Sequence, residues 1–150
     1  MARRVIEEKY KGEAAVLFAT GPSLNQHDIN LVKQYHSEGV VKAFGCNDAY
    51  RVVDYLDVLY ACDGRWWDYH YEKLKETCTA ELWTQELYVR KKHKDINYIA
   101  GKFADGISLN PNLIHFGSNS GFQVLNIALL MGIRKFILLG YNMGINGTTH

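Results

Sequence analysis

Cysteine is too scarce in this chain, and wrongly spaced, to hold it together. Cys46, Cys62 and Cys78 are an odd number with no Cys-x-x-Cys pair, which fits neither a disulfide framework nor a zinc site. Two of them end apolar runs, where a free thiol acts as a small hydrophobe. Reduced thiols and a cytoplasmic setting are therefore expected. A charge excess is also missing: 17 Lys and Arg face 16 Asp and Glu, a net +1, so no nucleic-acid surface is expected. The densest basic stretch, Arg90-Lys91-Lys92-His93-Lys94, reads as a solvated loop or helix end. No apolar run approaches the span of a bilayer. Met1 to Glu8 carries charge with no apolar segment after it, so no signal peptide is expected. Internal repeats, low-complexity segments and linkers are absent too.

Several chemical signatures are also lacking. There is no Asp-x-Asp of a metal-dependent sugar-nucleotide site, no HExxH, and no serine in Gly-x-Ser-x-Gly. No metal site is expected.

What is present is a core. With 47% hydrophobic residues in 150, residues 1–150 read as one domain able to bury about two-thirds of its unfolded surface. Ala14 to Ala19 is a continuous apolar run, as in a strand covered on both faces. Gly21-Pro22-Ser23 makes a turn, and a helix is predicted over His27 to His36, capped by Asn25 or Asp28, with Gly39 just past its end. Val40 to Gly45 returns as a strand, completing a βαβ unit. Val58 to Ala61 is a third strand and Trp66 to Lys75 is helical. Glu81 to Tyr88 and Ile96 to Ala100 supply one or two short strands. Ser118-Asn119-Ser120 opens a helix with apolar Phe122, Leu125, Ala128 and Leu129 at helical spacing. Gly132 ends it, and Phe136 to Leu139 is a final strand. Strands alternating with helices mean an α/β fold with a mostly parallel central sheet.

Four of these strands run straight into small polar clusters. These are Thr20-Gly21-Pro22-Ser23, Cys46-Asn47-Asp48, Cys62-Asp63-Gly64 and Gly140-Tyr141-Asn142. In an open parallel sheet the carboxyl ends of the strands meet at one edge, where ligands sit. A glycine turn between strand and helix offers backbone N–H groups and a positive helix end to an anion. An ordinary turn capped by Ser23 or Asn25 accounts for that segment about as well. Asn47, Asp48 and Asp63 suit ribose hydroxyls or base edges, although Asn and Asp also favour turns for their own backbone bonds. Gly117-Ser118-Asn119-Ser120-Gly121 is a second polar helix opening, able to hold a phosphate or to act simply as a cap. Trp66, Trp67, Tyr69, His70 and Tyr71 are more in keeping with core packing than with a stacking site.

Taken in order, Phe18-Ala19-Thr20-Gly21-Pro22-Ser23-Leu24, Phe44-Gly45-Cys46-Asn47, Ser120-Gly121 before Ile127-Ala128-Leu129, and Leu138-Leu139-Gly140-Tyr141-Asn142 form a pattern. It resembles the bacterial family-42 sialyltransferases and the related DUF115 group. That group includes 6-hydroxymethylpterin diphosphokinase-like enzymes and many phage proteins. The resemblance implies a Rossmann-like three-layer sandwich that binds a cytidine nucleotide sugar, of the CMP-sialic acid type, without metal. It implies that Gly21, Ser23, Asn47, Asn119, Ser120 and Gly121 hold the donor and that Asp63 faces the same pocket. Thr20, Pro22, Asp48, Tyr141 and Asn142 join them as candidate substrate-binding residues.

Two positions depart from the family pattern: Ala19 stands where a further glycine is usual, and Asn142 where Asp is common. The family also places its catalytic histidine beyond the last motif. In this sequence that leaves His150, the final residue, as the candidate base. A fragment, a site completed by a partner, or lost catalysis are the expectations that follow.

Three functions compete. A metal-independent transferase moves a sugar from a nucleotide to a hydroxyl acceptor and needs no cofactor beyond that donor. A pterin diphosphokinase needs ATP and Mg²⁺, with Asp48 and Asp63 as carboxylates. A non-catalytic phage or assembly protein keeps only the fold. A homo-oligomer is compatible with the sequence and not specified by it.

Overall fold

The computed structural model describes residues 3–142. In chain order the elements are β1 (Ala14–Phe18), α1 (Gln26–Ser37), β2 (Lys42–Cys46), a 3-10 turn (Asn47–Arg51), β3 (Val58–Tyr60), α2 (Gly64–Thr77), β4 (Glu81–Thr84) and α3 (Leu87–Lys92). There follow β5 (Asn97–Tyr98), β6 (Ala100–Lys102), β7 (Leu113–His115), α4 (Ser120–Leu130) and β8 (Lys135–Leu139). Six strands form one all-parallel sheet in the order β5-β4-β3-β2-β1-β8, and β6 and β7 pair separately, also parallel.

The apolar runs explain the layers. Successive strand side chains point to opposite faces, so a strand buried on both sides must be apolar throughout. In β1, Ala15 and Leu17 face one layer with Phe44, Tyr60 and the α4 residues Val124, Ile127 and Ala128. Val16 and Phe18 face the other, with Ile29 of α1, Trp67 and Leu74 of α2 and Val89 of α3. The architecture is thus a Rossmann-like three-layer sandwich, as expected. Fully burying a Leu or Phe side chain stabilises by about 1.5–3 kcal/mol, so these two clusters hold the layers together.

Local signals worked where they were strong. Asn25 caps α1, its Oδ1 accepting from the Asp28 N–H at 2.9 Å, and Gly39 takes φ +76° beyond that helix. Gly132, at φ +103°, follows α4. Short strands do lie in the two segments where they were expected. β4 occupies the first half of Glu81 to Tyr88; Thr84 Oγ1 then accepts from the Glu86 N–H, turning the chain, and Tyr88 lies in α3. Ile96 to Ala100 is split, with Asn97–Tyr98 in the main sheet and Ala100 already in the second one. Strands of two or three residues are too short for their side-chain period to show in the sequence.

Candidate functional site

β1 lies between β2 and β8, and the chain leaves it in one direction and returns on the other side through α4. Such a switch point opens a crevice at the carboxyl ends of the strands. Here it is a cleft of about 410 Å³, lined by Ala19, Thr20 and Gly21 after β1, Cys46 and Asn47 after β2, Ser118 to Gly121 at the start of α4, and Gly140 to Asn142 after β8.

Each wall has a local reason. The Gly21 N–H donates to the Gly140 carbonyl at 2.8 Å, prolonging the β1–β8 pairing into the loops. Ser23 donates from both its N–H and its hydroxyl to Asn142 Oδ1, at 3.2 and 2.7 Å. A Cβ on Gly21 would run into the Gly140 carbonyl oxygen and that same Asn142 oxygen. The loops after β1 and β8 are therefore locked face to face, with glycine required at the crossing. At the start of α4, Asn119 Oδ1 accepts from the Phe122 N–H at 2.8 Å. The amides of Ser120 and Gly121, in the helix's first turn, have no intrahelical acceptor. Tyr141 packs over Gly121, where a Cβ would lie 2.9 Å from its ring, and its hydroxyl donates to the Gly121 carbonyl at 3.0 Å. It therefore ties the end of β8 to the beginning of α4.

Among the described residues, only two non-glycine residues have positive φ: Asn47 at +52° and Ser118 at +70°. Both line the cleft. Left-handed backbone is costly for L-residues and concentrates at functional sites. Among the described residues, no Asp, Glu, Lys, Arg or His lines the cleft. The described lining offers an anion amide and hydroxyl dipoles and a helix end. Burial pushes the Cys46 thiol up to about 12, so it stays protonated and is no nucleophile. Burial also pushes the Tyr141 phenol well up, keeping it a neutral hydrogen-bond donor.

Of the residues singled out in the sequence, Thr20, Gly21, Asn47, Asn119, Ser120, Gly121, Tyr141 and Asn142 come together in this cleft. Pro22 and Ser23 are not in its lining; Ser23 acts by anchoring Asn142. Asp48 and Asp63 are also outside it. Asp63 caps α2, accepting from the Arg65 N–H at 2.9 Å. Asp48 accepts from Trp66 Nε1 at 2.7 Å, with Arg51 at 3.5 Å. Among the described residues no group of three His, Cys, Asp or Glu is placed to hold a metal ion. His150 lies outside the described residues. Ser118 was visible only as part of a polar loop, because its backbone conformation leaves no mark on the sequence.

In the aromatic cluster Trp67 and His70 are buried packing residues, whereas Tyr69 is exposed. Trp67 is fully buried and donates to the Ala61 carbonyl. His70 stacks on Trp66 at 4.4 Å, and its Nδ1 lies 2.7 Å from the Tyr50 hydroxyl. Burial holds the His70 imidazole below its ordinary value, against the pull of Asp48. His93 is lowered for the same first reason. A histidine whose pKa falls on folding takes up its proton more readily when unfolded. Stability is then complete above the unfolded value of about 6.5 and is lost as pH falls from there through the lower folded value. Urea midpoints should therefore drop between pH 7.5 and 5.5, and His70→Gln should flatten that slope. An unchanged slope in the variant would show that His70 does not contribute.

No family model and no curated protein matches the chain. Among solved structures, the MAf glycosyltransferase from Magnetospirillum magneticum AMB-1 superposes with a TM-score of 0.68 at 19% identity, over 95% of this chain and 25% of that one. The chain thus spans about a quarter of that protein's length. At this identity the likeness concerns architecture: the parallel α/β sheet described above is also the fold of part of a glycosyltransferase.

Proposed function

We propose that this chain is a glycosyltransferase-like domain that binds a nucleotide sugar in the switch-point cleft and passes the sugar to a hydroxyl acceptor without metal. The observation that carries the reading is the meeting of three strand ends and the start of α4 around one cleft. A phosphate fits the first-turn amides of Ser120 and Gly121. The Thr20 and Ser120 hydroxyls and the Asn47 carboxamide suit ribose and base. A CMP-linked donor is the one that the motif order favours. In the transfer, the acceptor oxygen bonds to the anomeric carbon as the bond from that carbon to the phosphate oxygen breaks. A base takes the acceptor proton, and amide dipoles stabilise the departing phosphate. His150 is the candidate base. Among the described residues no carboxylate lines the cleft, which favours the metal-independent reading over the ATP and Mg²⁺ one.

A thermal-shift titration with CMP and with ATP, each with and without Mg²⁺, tests this. Ligand at a hundred times its Kd stabilises by about 2.7 kcal/mol. CMP should raise the midpoint without metal, and ATP should not. Stabilisation by ATP only with Mg²⁺ would instead support the diphosphokinase reading. No shift with either would leave a structural or assembly role.

Asn47 gives a sharper variant test. Asn47→Ala removes the carboxamide and adds left-handed strain; Asn47→Gly removes the carboxamide and relieves it. Both should weaken CMP binding about tenfold, the worth of a hydrogen bond or two. Only Asn47→Gly should keep or raise the unfolding midpoint. If Asn47→Gly binds CMP as the parent does, Asn47 serves the backbone and not the ligand.

A further inference from the structure

Phe103 is 88% exposed. A single exposed apolar residue is ordinary, but this one is built into place. β6 and β7 run parallel with Lys102 opposite His115, so Phe103 and Phe116 leave the small sheet side by side. Their ring centroids are 4.6 Å apart. Phe116 lies directly on Gly101, where any Cβ would sit inside its ring. Its carbonyl accepts from Gln123 Nε2 at 2.8 Å, and Gln123 Oε1 accepts in turn from the Tyr60 hydroxyl at 2.6 Å. The loop beyond Phe103 is pinned as well: Asn126 of α4 bonds both the N–H and the carbonyl of Ser108. Phe116 is followed at once by Gly117 and by Ser118, which lines the cleft. Neither ring is in the cleft lining, but Phe116 stands two residues along the chain from Ser118 in its wall, and Phe103 rests on Phe116.

We propose that Phe103, seated on Phe116, is a stacking shelf for a ring of the bound ligand, the part that emerges from the cleft past the start of α4. This rests on the nucleotide-sugar reading above. The shared chemistry is a ring face laid on an aromatic ring, and the ring is either the base or the sugar of the donor. Among the described residues the cleft lining offers only Tyr141 as an aromatic ring, and the shelf supplies a second, exposed ring face beside it.

Calorimetric titration of the full chain with CMP and with CMP-sialic acid tests it, using the parent, Phe103→Ala, Phe103→Trp and Asn47→Ala. Phe103→Ala should keep the parent's unfolding midpoint, because its ring is exposed, and should weaken binding about tenfold or more. Phe103→Trp should bind as the parent does, and its added fluorescence should change when ligand is titrated in. A loss already seen with CMP makes the stacked ring the base; a loss only with CMP-sialic acid makes it the sugar. If Phe103→Ala binds both probes like the parent while Asn47→Ala is weakened, the shelf is overturned and the cleft reading stands. If the parent binds neither probe, both fall. A drop of several degrees in the Phe103→Ala midpoint would make Phe103 a structural residue and overturn the shelf.

Discussion

Gly140→Ala should lower the unfolding midpoint by about 6–12 °C and, with it, abolish the CMP binding proposed for the cleft. Gly140 sits at φ +73°, and a Cβ there would run into the backbone carbonyl of Ala19. Left-handed backbone costs an L-residue about 1–2 kcal/mol. Forcing the two loops apart costs about 1–3 kcal/mol more, as overpacking does. Together that is about 3 kcal/mol, and a chain of this size loses about 2–4 °C per kcal/mol. The shift also acts on the site, because the Gly140 carbonyl accepts from Gly21 and the cleft runs between these loops. Gly12 supplies the control. It has nearly the same φ, +76°, with nothing within 4 Å of a Cβ. Gly12→Ala should cost only the backbone part, about 1 kcal/mol, and leave binding intact. Urea unfolding of the two variants checks the steric argument. Equal losses would mean that Ala19 and Gly140 are not in the tight contact described.

Asn126→Ala should cost about 3 kcal/mol and release the loop that follows β6. Asn126 is fully buried. Its Oδ1 accepts from the Ser108 N–H at 3.0 Å and the His115 N–H at 3.1 Å, and its Nδ2 donates to the Ser108 carbonyl at 2.9 Å. Alanine leaves these three backbone groups without that partner in a buried site. Each buried orphan costs about 1–3 kcal/mol, reduced where the loop opens and water reaches it. Amide hydrogen exchange reads the result residue by residue: protection at Ser108 and His115 should collapse while that of the β1 and β2 amides persists. Uniform loss of protection would mean that the clamp supports the whole fold. Unchanged protection at Ser108 would mean that the loop is held by other contacts. Under the shelf proposal, release of this loop should also weaken binding of the CMP or CMP-sialic acid probe, because it carries Phe103.

How much of this was legible in the sequence depended on how local the cause was. Ala14 to Ala19 read as a strand because a segment buried on both faces must be apolar throughout. Asn25, Gly39, Asn119 and Gly132 read as helix ends because capping and left-handed backbone are satisfied within a few residues. The polar clusters after the strands could be placed at one edge once the strands were judged parallel. The bounds of the short elements were not local in this sense. Thr84 bends the chain with its own hydroxyl, and β6 and β7 have too few residues to show a period.

The fate of each polar residue was a different matter. Asp63 and Asp48 carry side chains that suit a ligand and a turn equally well, and only the neighbours decide between them. Arg65 and Trp66 took them, and they left the cleft lining. Asn142 reached Ser23 from the other end of the chain. Tyr141 reached Gly121, and Phe116 found the missing Cβ of Gly101. Local chemistry along the chain therefore determined the strands, the turns and the caps. The strand order, the switch point beside β1 and the set of groups that share the cleft came from tertiary structure. Strand order is a matter of which apolar faces can be buried together across the whole chain, and no short segment carries that information.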